Sequence, residues 1–382
     1  MSGAVIIGGH IHGLAIARSL GRAGINVHIL DRYRSLARYS KYCASYSQCP
    51  DYSSDQFVPF LIRYAKTNFS EPLTLFLSDD FAIGIVAQHK KMLSEFYRII
   101  YPDKKKFDLL FRKKQFLKFA LSEQLPLPKT WLNAERADDI SEYDFPLLIK
   151  GDDSLLFWQL TKVKAMKVHD KKELETALQK LAAQKLDGDI FLQECLPVHQ
   201  NPVLSFTAFC IDGEIKSWWI GEKTVEHPHP FGIAILAQSI KKEELFSPSQ
   251  ILLRKLAYTG ICEIEFLYDP KKDAYKILEM NARSWLWLQC AIVSGVNYPL
   301  YVHNFLNKKK QQYTQQYEKS VFWINVWHYI LTAPIKLAQK EYSISQLRDV
   351  MTSKKAYAIF DRKDLKPFLM YSLKLPYYVN HI

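Results

Sequence analysis

The 382-residue chain reads as an α/β domain followed by an α+β region, and three stretches carry that expectation. A short apolar strand, "AVIIGG", leads into a helical stretch, "HGLAIARSLGRAG", that ends at Gly24, and then into a second apolar strand, "NVHILD"; the βαβ order implies a parallel sheet. From about residue 203 the pattern changes to successive strands, "VLSFTAFCID", "EIKSWWIGE", "ICEIEFLYD" and "YKILEMNA", broken by one helix, "PSQILLRKLAYTG", which implies an antiparallel sheet. Between the two, the helix "KKQFLKFALSEQ" stops at closely spaced prolines and "DFPLLIKGDD" reads as a strand entering a loop. The stretch "DKKELETALQKLAAQ" then sets Leu174, Ala177, Leu178 and Leu181 at helical spacing before the strand "DIFLQECL". Domain edges are therefore expected near 110, 190 and 320: an α/β domain over 1–110, two α+β subdomains over 111–190 and 191–320, and a C-terminal extension over 321–382.

Apolar residues make up 48% of the chain, enough for substantial cores. The opening residues lack a basic region, a long apolar run and a small-residue cleavage site, so no signal peptide is expected. The stretch from Val321 to Leu337 carries Asn325, His328, Pro334 and Lys336, too polar and too short to span a bilayer. Six cysteines without metal-site or disulfide-scaffold spacing fit reduced thiols in a cytoplasm. The net charge of +12 gathers in runs such as 103–118 and Lys308–Lys310. Such runs are ordinarily solvated helix faces; a non-catalytic protein binding nucleic acid or an anionic membrane surface is the rival they support.

The densest chemistry lies in "CEIEFLYD" and "YKILEMNAR". Strand side chains alternate, so Glu263 and Glu265 share one face of the first segment, and Glu279, Asn281 and Arg283 one face of the second. A hairpin closed by a five-residue loop, Pro270 to Ala274, would set Asp269 opposite Tyr275, Glu265 opposite Glu279 and Glu263 opposite Asn281. Like charges so placed repel unless a cation sits among them, and oxygen donors without His or Cys suit Mg²⁺ completed by the phosphates of a nucleoside triphosphate. An ordinary polar sheet face, or an ion pair between Glu279 and Arg283, accounts for the same pattern.

Together these segments resemble the ATP-grasp superfamily, whose core ends in an acidic residue before Phe, a turn, and Glu-x-Asn-x-Arg; here these are Glu265 and the run from Glu279 to Arg283. "KKQFLKFALSEQLPLPKTW" is similar to the family segment with a nucleotide lysine, Lys113, and "FPLLIKGDD" to the strand presenting a second, Lys150. "FLQECLP" resembles the hinge strand, with Gln193, Glu194 and Leu196 toward the adenine, and "GEKTVEHPHPFGIA" the segment with basic Lys223 ahead of a Pro-x-Gly turn. The opening and the closing "YAIFDRKDLKPFL" are similar to carboxylate-amine ligases related to D-aspartate ligase, and the core to the carbamoyl-phosphate synthetase large chain. The resemblance implies an α/β domain preceding a two-subdomain ATP-grasp core and an ATP-dependent ligase that activates a carboxylate as an acylphosphate for attack by an amine. It further implies Mg²⁺, with Mn²⁺ as an alternative, on Glu265, Glu279 and Asn281; nucleotide contacts from Lys113, Lys150 and Lys164; and catalytic Arg283 and Lys223. The implied substrates are small-molecule carboxylates and amines, such as an amino acid or a cell-envelope precursor, and a homodimer is compatible with the sequence.

Two features depart from the family pattern. The loop after Lys150 has one glycine where many members have several, and Val198 and His199 stand where relatives often carry an acidic residue for the ribose. A dinucleotide oxidoreductase is a further rival, suggested by "GGHIHG" after a strand and by Asp31, but His10 occupies the position where the pyrophosphate requires glycine. In the ligase reading, His10 and His12 either line the acceptor site or are polar residues at a helix start.

Overall fold

The computed structural model describes residues 3–133, 140–141, 144–197, 201–227, 232–338 and 344–374. Three sheets organise them.

The first sheet comprises β1 (Gly3–Ile7), β2 (Asn26–Asp31), β3 (Cys43–Gln48), β4 (Leu73–Leu77) and β5 (Tyr97–Arg98). All pairings are parallel, in the order β3-β2-β1-β4-β5. β1 and β4 are buried from end to end, as parallel strands covered on both faces are, and so read as unbroken apolar runs. The helix Ile11–Arg22 follows β1; Gly24, at φ +75°, turns the chain back into β2 where a side chain would strain the backbone.

The second sheet comprises β6 (Thr130–Trp131), β7 (Leu147–Gly151), β8 (Met166–Val168) and β9 (Ile190–Glu194), antiparallel in the order β6-β9-β7-β8. Asp170 caps the helix Lys171–Ala183, whose Leu174, Ala177 and Leu181 are buried in the core shared with β7 and β9. The expected edge at 190 falls where β9 begins; β9 pairs with β7 from Ile190 to Glu194, so this sheet extends past that edge.

The third sheet holds β10 (Leu204–Ile211), β11 (Glu214–His227), β12 (Ile233–Ile240), β13 (Gly260–Asp269), β14 (Ala274–Asn281), β15 (Phe322–Ile324) and β16 (Lys355–Tyr357). Their order is β14-β13-β10-β11-β12-β15-β16, antiparallel except for the β15–β16 pair. The segment anticipated as an extension thus contributes two strands to this sheet. Beyond them, the buried Asp364 accepts from Arg18 Nε at 2.9 Å, joining the late chain to the first helix.

Candidate functional site

The hairpin of β13 and β14 sets Glu265 opposite Glu279 and Glu263 opposite Asn281, as the alternation predicts. Its turn does not follow the expectation. Asp269 pairs with Ala274, not Tyr275, so the loop is the four residues Pro270–Asp273, and a bulge between Glu265 and Phe266 takes up the difference. Buried Ile277 and Met280 anchor β14 from the core, leaving Glu279 and Asn281 on its partly open face.

Lysines from separate elements converge on these carboxylates. Lys113, the first residue of the helix Lys113–Ser122, places Nζ 3.0 Å from Glu279 Oε2, and Lys223 of β11 places Nζ 2.6 Å from Glu265 Oε1. Lys150 of β7 donates to Gln193 Oε1 at 2.7 Å, while Gln193 Nε2 donates to Thr130 Oγ1 at 3.1 Å. Lys164, beyond the helix Ser154–Thr161, lies within electrostatic reach of Lys223, Glu279 and Glu265. Asn281 Nδ2 donates to Glu263 Oε2 at 3.3 Å and to Glu279 Oε1 at 3.4 Å; Ser205 Oγ donates to Glu263 Oε1 at 2.8 Å.

The charges follow from this packing. Lys113, against burial, brings the Glu279 carboxyl down to about 2. Burial, reinforced by Glu265, pushes Glu263 up to about 7, so one member of the acidic patch carries a proton near neutrality. Burial and the neighbouring Lys113 lower Lys150 to about 8. Burial opposes the charge on Lys223, but Glu265 and Glu263 outweigh it and hold the ammonium firmly protonated.

Arg283 lies just beyond β14 and does not pair with Glu279. Its Nε and Nη2 fork onto Asp80 Oδ1 and Oδ2 at 2.6 and 2.9 Å, and Nη1 donates to the Ser284 carbonyl at 3.0 Å. Asp80 opens the helix Asp80–Gln88 in the first domain, so this fork joins the hairpin to the parallel sheet. Sequence reasoning missed Asp80. The available signal was "SDDF" at the carboxyl end of a buried parallel strand, where α/β sheets place ligand-facing groups. His12 stands near the fork; burial, then Arg283, lowers its imidazole to about 3, and its Nε2 is buried without a partner. His10 is exposed.

The remaining expected residues divide. Gln193 is buried and occupied with Lys150 and Thr130. Glu194 uses Oε1 to accept from the Lys129 N–H at 2.9 Å, and Leu196 is buried. Val198, His199 and the Pro-x-Gly turn through Pro230 and Phe231 lie outside the described residues. Among the described residues no group of three or more His, Cys, Asp or Glu side chains is arranged to hold a metal, and no helix is long and apolar enough to cross a membrane.

Asp31 argues against the dinucleotide rival. It is 1% exposed and accepts from the Gly9 N–H at 2.7 Å and the Tyr33 N–H at 3.1 Å, so the carboxylate that a ribose would need holds the loop instead. Gly8, at φ +89°, packs so tightly that an added Cβ would stand 2.0 Å from Ser78 Oγ.

The fold that these three sheets build is the ATP-grasp fold. Residues 234–294 match the family described as the carbamoyl-phosphate synthase L chain, ATP binding domain. The chain is 23% identical over 346 residues to D-aspartate ligase of Enterococcus faecium, covering 84% of this chain and 82% of that one. Among solved structures it resembles the biotin carboxylase domain of Hydrogenobacter thermophilus 2-oxoglutarate carboxylase in complex with MgADP, ADP and bicarbonate, at a TM-score of 0.65 and 12% identity over 84% of this chain and 73% of that one. It also resembles an L-amino acid ligase from Bacillus licheniformis, at a TM-score of 0.58 and 15% identity over 80% and 74%.

Proposed function

We propose that the chain is an ATP- and Mg²⁺-dependent ligase that joins a small-molecule carboxylate to an amine through an acylphosphate. The observation that carries this reading is the opposed pair Glu265 and Glu279, each engaged by a lysine from a different element. Opposed carboxylates repel, and lysines that neutralise them are positioned to exchange carboxylate for phosphate oxygens.

The donors of the patch are all oxygen, which suits Mg²⁺ and gives no reason to prefer Mn²⁺. Glu265, Glu279 and Asn281 would hold the ion; too few for a closed cage, they leave positions for phosphate, as Mg²⁺ sites in phosphoryl-transfer enzymes do. Bound there, Mg²⁺ would offset phosphate charge and polarise the transferred group. Lys113, Lys150 and Lys164 neutralise the phosphates. Gln193 acts through Lys150, whose ammonium it orients. Glu194 and Leu196 border the adenine.

A carboxylate oxygen attacks the γ-phosphorus, the bond to the β-phosphate oxygen breaks, and ADP leaves. Arg283 and Lys223 stabilise the charge on the transferred group, the guanidinium by its planar fork. The amine then attacks the acyl carbon, loses a proton and expels phosphate. The two amino-acid ligases among the similar proteins favour an amino acid as one substrate.

The test supplies ¹⁸O-labelled carboxylates, bicarbonate included, with a panel of amines. One label atom in the released phosphate is expected for a true substrate. ATP turnover that requires both substrates but leaves the phosphate unlabelled would end the acylphosphate reading.

A further inference from the structure

The last part of the chain holds a surface that the ligase reading does not use. In the helix Lys366–Leu373 and its N-cap, Leu365, Leu369 and Leu373 are 45%, 57% and 76% exposed. Spaced every fourth residue, they form one stripe. The neighbouring helix Val326–Ala338 exposes Ile330, Leu331 and Ile335 at 54%, 44% and 57%. The helices are tied by stacked Trp327 and Phe368 rings, 6.0 Å between centroids, and by Trp327 Nε1 donating to Ser372 Oγ at 2.9 Å. Leu331 and Ile335 extend from Trp327 at four-residue spacing, so an exposed apolar row leads away from the point where the two helices touch.

The exposed charges of the segment that carries the leucine stripe have one sign, although Asp349 is exposed on the helix Ile344–Thr352 nearby. From 361 to 374, the exposed charged residues are Arg362, Lys363, Lys366 and Lys374. Both acids of the segment face inward: Asp361 pairs with Arg22, and Asp364 is buried on Arg18, Ser40 Oγ and the Lys41 N–H. An apolar stripe with cations and no free anion on its own segment is the chemistry of a helix lying in the headgroup region of an anionic bilayer.

We propose that the face formed by the helices Val326–Ala338 and Lys366–Leu373 docks peripherally on an anionic lipid surface. A second copy of the chain fits less well, because a two-fold contact would set the four cations against their own copies. The proposal goes beyond the ligase reading and does not rest on it.

The test is co-sedimentation of the full chain with vesicles of phosphatidylcholine, with and without phosphatidylglycerol, across a salt series. Binding only to the phosphatidylglycerol vesicles, weakening with salt, is expected. Lys363→Glu with Lys366→Glu lowers binding at least roughly thirtyfold, and Leu369→Gln with Leu373→Gln at least about tenfold. All four positions are exposed, so both variants keep the parent's circular-dichroism melting curve. Equal binding to pure phosphatidylcholine, or full binding by the leucine variant, overturns the proposal. So does light scattering in which the leucine variant turns a dimer into a monomer without altering lipid binding, which assigns the face to self-association.

Discussion

Of the arginine–aspartate pairs that fasten the first domain to distant parts of the chain, Arg18–Asp364 and Arg283–Asp80 differ most in their surroundings. Arg18 and Asp364 meet at 2.9 Å with side chains 3% and 1% exposed, and Asp364 also satisfies Ser40 and Lys41. Arg283 and Asp80 meet at 2.6 Å with side chains 21% and 39% exposed, beside a histidine whose Nε2 has no partner. One pairing chemistry is therefore sealed from water at the first place and partly open to it at the second.

Removing one partner from each pair breaks the comparison most directly. Asp364→Ala leaves the buried Arg18 guanidinium with only the residue-364 carbonyl at 3.0 Å and the Asp361 carboxylate at 3.9 Å, and a stability loss of about 3 kcal/mol is expected in urea denaturation. A loss no larger than that of a surface substitution would show that the first pair is not sealed. Arg283→Lys has its effect on turnover instead: kcat falls by about 10²–10³ with little change in thermal midpoint, because the forked donor geometry is lost while the charge remains. Unchanged kcat in this variant would remove Arg283 from the reacting group.

The acidic patch sharpens the contrast through pH. Glu263 titrates near 7 in the folded chain, above its unfolded value, so the native state holds the extra proton and stability falls as pH rises from about 4.5 to 7. Glu279 has the opposite sign: its pKa of about 2 gives stability that is present above the unfolded value and lost as pH falls toward 2. Glu263→Gln should flatten the fall between pH 5 and 7 by roughly 1–3 kcal/mol in denaturation curves. An unaltered slope would mean that Glu263 is ionised throughout. The smallest effect is expected at the open pair, where Asp80→Ala should destabilise by under about 1 kcal/mol in the same urea assay that reports on Asp364→Ala.

Much of this site was legible because a strand's alternation is a local property. Glu263, Glu265, Glu279 and Asn281 could be placed on shared faces from two adjacent segments, but their cross-strand pairing matched the expectation only because the bulge offset a turn one residue shorter than expected. Asp80 could not be found that way: it meets Arg283 across 203 residues, and the parallel sheet that carries it encodes its position only in three dimensions. The same limit hid β15 and β16, three-residue strands that join the third sheet because β12 offers an edge to β15 and β15 in turn to β16. The placement of β9 was obscured differently. Its apolar residues suit either α+β sheet, and only pairing with β7 assigns it. The lysine pairs on Glu265 and Glu279 were also invisible, since sequence gives residue types at a site but not which oxygen each ammonium chooses.

The bulge beside Glu265 separates two jobs that a plain hairpin would couple. In a regular ladder, adding or removing one turn residue flips every later side chain to the opposite face. Here the slack between Glu265 and Phe266 lies on the turn side of the carboxylate pair, so the Pro270–Asp273 turn has a length of its own, insulated from the residues that would grip phosphate. That makes the hairpin tip a natural port for grafted sequence: a short epitope or a fluorophore attachment point placed there would travel with the chemistry-bearing strands and report on them without re-aiming them.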